Sequence, residues 1–141
     1  MGKPLILIVE DEQDGATLIE FHLHRRGYET IIAPDGRAAL NALLDGKPDL
    51  VILDLLLPEL NGYEVCRLAK DAPASQHIPI LMLTALDTAE TKVKAFKLGV
   101  DDYMTKPFEM RELMVRTESL LRRSASCPKP AKKVFLSRLD R

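Results

Sequence analysis

The sequence has no tryptophan, only two cysteines, and aromatic residues at 5% of its 141 positions. Cys66 and Cys127 lie far apart and form neither a metal-ligand spacing nor a disulfide framework, so both read as reduced cytosolic thiols. No apolar run reaches the length of a membrane span. The N-terminus carries one lysine and then a short apolar stretch that ends in acids, which is neither a signal peptide nor an anchor. No glycine-rich loop follows a strand-like run, which removes the usual nucleotide-phosphate cradle. A strong excess of one charge is also missing, with a formal net charge of -1. That balance hides an asymmetry: residues 1–123 hold 15 basic and 20 acidic side chains, and residues 124–141 hold 5 basic and 1 acidic. An acidic body does not attract nucleic acid and suits a divalent cation or a basic partner. The expectation is a cytoplasmic protein with no membrane segment, whose residues do not bind nucleic acid directly.

What is present is a core. Apolar residues make up 46% of the chain and charged residues 29%, the composition of one soluble domain with a short extension. Leu5–Val9, Leu50–Leu53 and Ile78–Leu83 are unbroken apolar runs, as in strands buried on both faces of a parallel sheet. Weaker strand signals lie at Tyr28–Ile32 and Asp102–Met104. Between the runs lie helical patterns, with inward faces expected at Ala16, Ile19 and Leu23; at Ala39, Leu40, Leu43 and Leu44; at Val65, Leu68 and Ala69; at Ala89, Val93 and Phe96; and at Leu113, Met114, Leu120 and Leu121. Gly27 and Gly99 stand where two of these helices should stop. Strand–helix alternation five times over argues a doubly wound α/β domain with helices on both faces of a five-stranded parallel sheet. The domain is expected to span residues 1–123. Residues 124–141 read as a basic, proline-containing linker or tail, either leading to an absent output domain or docking on the body.

Chemistry in such sheets collects at the C-terminal strand ends. The first strand finishes in Glu10-Asp11-Glu12, the third in Asp54 and the fourth in Thr84-Ala85, and the fifth is followed by Lys106-Pro107. Oxygen ligands in an acidic cluster suit a hard cation such as magnesium, with Asp11 and Asp54 ligating directly and Glu10 through a water. A carboxylate facing a metal and an ammonium stays ionised and nucleophilic, able to attack a phosphoryl group. The transferring group needs cations and donors around its equatorial oxygens, here Lys106 and the hydroxyl of Thr84.

The stretches Ile8–Glu12, Leu53–Pro58 with Asn61-Gly62, Leu83–Ala85 and Gly99–Phe108 together resemble the CheY-like receiver domain of bacterial response regulators. The resemblance covers residues 5–123 and implies a flavodoxin-like sheet of strand order 2-1-3-4-5. It implies that Asp54 is the phosphoacceptor, Glu10 and Asp11 the acidic metal pair, and the Leu56 backbone carbonyl a third ligand. Thr84 would be the switch hydroxyl, Tyr103 the switch aromatic that turns inward afterwards, and Lys106 the contact to phosphoryl oxygens. The Lys106–Pro107 peptide would be cis. The implied cofactor is Mg2+, with Mn2+ as a substitute, and the implied donor is a histidine kinase or phosphotransfer protein docking near Phe21 and Leu23. Glu10 departs mildly from the aspartate of many relatives. Leu56 and Leu86 flank the family's route for an attacking water and cannot hydrogen-bond it, which implies slow self-hydrolysis.

Residues 88–122 also resemble the receivers of the winged-helix (OmpR/PhoB-like) class. There the matching charges Lys92 with Glu112 and Asp102 with Arg116, beside Asp101, would pair across a homodimer formed on phosphorylation. The function implied is phosphorelay signal transduction with a transcriptional output. The chain would be a phosphoprotein with magnesium-dependent self-phosphorylation and not an enzyme in the turnover sense. Two other readings are an interaction module with a relic pocket and a haloacid-dehalogenase-like phosphatase. The latter wants a second aspartate two residues past the nucleophile, where this chain has Leu56.

Overall fold

The computed structural model describes residues 2–126 of the chain. Cys127, the prolines that follow it and the apolar residues Val134 to Leu136 lie outside the described residues. Ten elements alternate along the chain: β1 Leu5–Val9, α1 Gln13–Arg25, β2 Glu29–Ala33, α2 Gly36–Gly46, β3 Leu50–Leu53, α3 Gly62–Asp71, β4 Ile80–Thr84, α4 Ala89–Lys97, β5 Asp102–Thr105 and α5 Met110–Ser126. The strands form one parallel sheet in the order β2-β1-β3-β4-β5.

The period-two alternation of strand side chains sorts the core into two halves. Leu7, Val9, Val51 and Leu53 point to one face and pack with Ala39, Leu43, Val65, Cys66 and Ala95 of α2, α3 and α4. Ile6, Ile8, Leu50 and Ile52 point to the other and meet Ile19, Leu23, Leu113 and Leu120 of α1 and α5. The central strands are therefore apolar on both faces, which is why their sequences show no alternation. Gly27 and Gly99, at φ 89° and 105°, end α1 and α4. In both, the following amide reaches back into the last turn (Tyr28 N to Leu23 O, 3.1 Å; Val100 N to Ala95 O, 3.3 Å), so each helix turns directly into the next strand.

Three expectations change. Leu44 is 57% exposed and does not belong to the inward face of α2. On α4, Val93 and Phe96 are 53% and 49% exposed, Ala89 is also exposed, and the buried residue is Ala95. A short helix that meets the sheet through one small residue leaves its larger apolar side chains outside. Finally, α5 continues through Ser126, so residues 124–126, which read as linker by composition, are helical. Among the described residues no helix is long and apolar enough to cross a membrane.

Candidate functional site

Because all strands run the same way, their C-terminal ends share one rim, with β1 and β3 adjacent at its centre. Val9 and Leu53 are register partners, and the Asp54 amide donates to the Val9 carbonyl at 3.0 Å. That pairing sets Glu10 and Asp54 side by side, both buried, with Asp11 exposed beside them. One carboxylate oxygen from each of the three lies within 4.8 Å of the others. This is a set of hard oxygen donors of the kind magnesium takes, and it fits a divalent cation.

Lys106 enters from the end of β5, its amide tied to the Thr84 carbonyl at 2.8 Å. Its Nζ donates to Glu10 Oε1 at 2.7 Å and to Asp54 Oδ2 at 3.0 Å. The other oxygens are also held: Asp54 Oδ1 accepts from the Leu56 amide at 3.0 Å, and Glu10 Oε2 from the Glu12 amide at 3.2 Å. Asp54 is thereby fixed in orientation by one backbone and one ammonium donor. Burial pushes the Glu10 carboxyl above its ordinary value, against the pull of Lys106 and the Glu12 amide. Burial also opposes the Lys106 charge, but the hydrogen bonds and charges of Glu10 and Asp54 prevail and raise its pKa. Lys106 therefore remains an ammonium at neutral pH. The Lys106–Pro107 peptide is cis.

Thr84 is fully buried at the end of β4, and its Oγ1 accepts from the Leu86 amide at 3.4 Å. Tyr103 is already buried, its hydroxyl donating to the Leu86 carbonyl at 2.7 Å and reaching Thr91 Oγ1 at 3.4 Å. The inward position, expected only after phosphorylation, is thus the one this structure holds. Thr91 escaped the sequence reading. With Thr88 it forms a reciprocal capping box at the start of α4, and the Thr88-x-x-Thr91 spacing ahead of the helical pattern was the signal for it.

The charged side chains expected on a dimer face are paired within the chain. Arg116 Nη1 donates to both oxygens of Asp102, at 2.8 and 2.9 Å, and Nη2 donates to Glu112 at 3.0 Å. Lys92 pairs with Asp87 at 2.9 Å. Asp101 accepts from the Ile80 amide at 2.8 Å and faces Lys70 at 3.5 Å, which makes it a brace between β4 and α3. On α1, Phe21 is exposed as a docking residue must be, whereas Leu23 is fully buried and cannot meet a partner.

A parallel sheet of this order with acids, a hydroxyl and a lysine on one rim defines a CheY-like fold. The response regulator receiver domain family matches residues 6–118, and the chain belongs to that family. It is 48% identical over 119 residues to the alkaline phosphatase synthesis transcriptional regulatory protein PhoP of Bacillus subtilis, a similarity covering 84% of this chain and 49% of that protein. This places it close to PhoP in the OmpR/PhoB class, and the chain spans about half the length of this relative. A putative response regulator from Chloroflexus aurantiacus superposes with a TM-score of 0.81 at 38% identity, covering 85% of this chain and 98% of that one. The receiver domain of a sensor histidine kinase from Pseudomonas aeruginosa, solved with a magnesium ion coordinated in its active site cleft, gives 0.78 at 29% identity, covering 85% and 98%.

Proposed function

We propose that this receiver domain accepts a phosphoryl group on Asp54 from a histidine kinase or phosphotransfer protein in the cytoplasm. The observation that carries the reading is the fixed Asp54 carboxylate, buried between the Lys106 ammonium and the Glu10–Asp11 pair. An Asp54 oxygen attacks phosphorus, the bond to the donor's histidine nitrogen breaks, and the electron pair leaves with that nitrogen. Lys106 holds positive charge against the phosphoryl oxygens as the bond forms. Asp11, Asp54 and the Leu56 carbonyl would hold magnesium, or manganese in its place, with Glu10 acting through a water. The ion, when bound, neutralises charge on the transferring group.

The output side follows from Thr84 and Tyr103. Phosphoryl drawing Thr84 toward the rim would change the space beside Tyr103 and remodel the face of residues 88–122, so that the chain dimerises or controls an output domain. PhoP of Bacillus subtilis is named a transcriptional regulatory protein, which supports a transcriptional output. The domain catalyses no turnover of its own beyond self-phosphorylation and slow self-dephosphorylation.

The test is intact mass after incubation with acetyl phosphate, with and without magnesium, for wild type and Asp54→Asn. One magnesium-dependent adduct, absent in the variant, is the expected result. No adduct under any condition would favour a relic pocket that signals by binding alone.

A further inference from the structure

The segment of residues 55–61 between β3 and α3 carries Leu56, whose backbone would face the ion, and it is folded tightly. The Leu60 amide donates to the Pro58 carbonyl at 2.7 Å. Glu59 between them sits at φ 67°, a left-handed conformation that a residue with a side chain holds only where its surroundings impose it. At its far end the segment is pinned by Gly62, whose amide donates to the Leu55 carbonyl at 2.8 Å and whose missing β-carbon would lie 2.6 Å from the Asp54 carbonyl oxygen.

The other restraint comes from outside the segment, at the first residue of α2. A β-carbon on Gly36 would lie 2.6 Å from the Leu60 carbonyl oxygen, 2.8 Å from Leu60 Cβ and 3.1 Å from Val65 Cγ2. The first two atoms belong to or adjoin the backbone and cannot swing aside. Gly36 itself cannot retreat easily, because Asp35 caps α2, with Oδ1 accepting from the Ala38 amide at 2.8 Å. Gly36 has no positive φ, so nothing in its own backbone requires glycine. In a helix, alanine is the better residue on propensity alone. The glycine is explained by what lies against it.

We infer that Gly36 is a positioning residue for the phosphorylation site: the start of α2 is the stop against which Leu60, and through it the backbone from Leu56 onward, is set at the depth the ion requires. The inference rests on the function proposed above and reaches beyond it, because Gly36 touches neither the ion nor the phosphoryl group.

The test compares wild type, Gly36→Ala and Gly46→Ala. Gly46 lies at the other end of α2, where an added β-carbon meets only the tip of Ile31, at 2.9 Å. Three quantities are read: amide exchange of residues 55–62 without metal, magnesium affinity by calorimetry, and the acetyl phosphate adduct at saturating magnesium. In Gly36→Ala we expect faster exchange across residues 55–60 and a magnesium Kd raised about tenfold, the low end of what loss of a supporting group costs a metal site. Gly46→Ala should bind magnesium like the wild type. If Gly36→Ala keeps wild-type exchange and wild-type Kd, the inference is overturned. If that variant does not fold, Leu60→Gly removes the Cβ part of the same contact and loosens the backbone there, and must weaken magnesium binding; a wild-type Kd there overturns the inference equally. A wild type that neither binds magnesium nor takes phosphoryl removes the proposed function and this inference with it, whereas a competent wild type with an indifferent Gly36→Ala removes this inference alone.

Discussion

Leu56 and Leu86 set the lifetime of the proposed acyl phosphate. Leu56 is 53% exposed at the rim, and Leu86 contributes backbone groups to Thr84 and Tyr103 while its side chain offers no polar atom. Neither leucine side chain can hydrogen-bond a water approaching the phosphoryl. The expected half-life of the isolated phosphoprotein is therefore far longer than seconds. Leu56→Asn should shorten it about tenfold, below the usual contribution of a positioned general base because an amide only orients water. Loss of the mass adduct within seconds in the wild type would defeat this reading.

Cys66 makes a second prediction at the same scale. Burial pushes its thiol up from about 9 to about 11, with Lys70 opposing slightly. The folded value lies above the unfolded one, so the neutral thiol favours the folded state fully below about pH 9, and that preference is lost as pH rises through about 11. The wild type should lose about 2–3 kcal/mol relative to Cys66→Ala across that window, from two pKa units at 1.4 kcal/mol each. Native Cys66 should resist iodoacetamide at pH 8, followed by peptide mass. Alkylation as quick as that of an unfolded control would contradict the buried environment.

Among elements, α4 carries the most consequence. Its first turn depends on the Thr88–Thr91 box, and the Tyr103 hydroxyl holds both Thr91 and the Leu86 carbonyl ahead of it. Tyr103→Phe leaves the ring in place and removes the hydroxyl, at a cost of about 1 kcal/mol. Amide exchange in the first turn of α4 should then rise about fivefold while that of α1 stays unchanged. Equal exchange in the two proteins would show that Tyr103 does not secure α4. The same element shows where sequence reading fails. β1, β3 and β4 were legible because burial on both faces demands unbroken apolar runs. Gly27 and Gly99 were legible because the turns need positive φ. Val93 and Phe96 were misassigned because a helical stripe shows that an apolar face exists without saying what covers it. Leu44 failed for the same reason on α2. At the rim, the identities of Glu10, Asp11, Asp54, Thr84 and Lys106 were legible from strand ends. The strand order that brings them together came only from the family resemblance. The brace made by Asp101 was not legible, because a carboxylate in a loop shows no sign that a distant backbone amide, Ile80, will claim it.

For the molecule as a whole, the question is how two copies would meet. Arg116 already binds Asp102 and Glu112 within one chain, so a contact between copies must share or exchange these partners. The charges would then supply orientation and little net affinity, because each pair formed between copies replaces one already made within the chain. The apolar side chains left outside on α4, with Val115 on α5, would supply the area. The phosphorylated protein should dimerise in sedimentation, more weakly at high salt. Arg116→Glu should remain monomeric when phosphorylated while losing about 1–3 kcal/mol of folding stability, because it breaks both pairs and sets a third carboxylate beside Asp102 and Glu112. Dimerisation of that variant with wild-type affinity would move the interface elsewhere.

The hydrogen bond between Lys106 and Glu10 joins residues 96 apart in the chain, and the one between Lys106 and Asp54 joins residues 52 apart. Contacts of such separation bear the largest loop-closure entropy and close late in folding. During synthesis the acids emerge long before the lysine that completes their site. A nascent or partly folded chain therefore carries the aspartate without its arranged pocket. Competence to receive the proposed phosphoryl group would then be a property of the finished sheet, a form of quality control that needs no separate sensor.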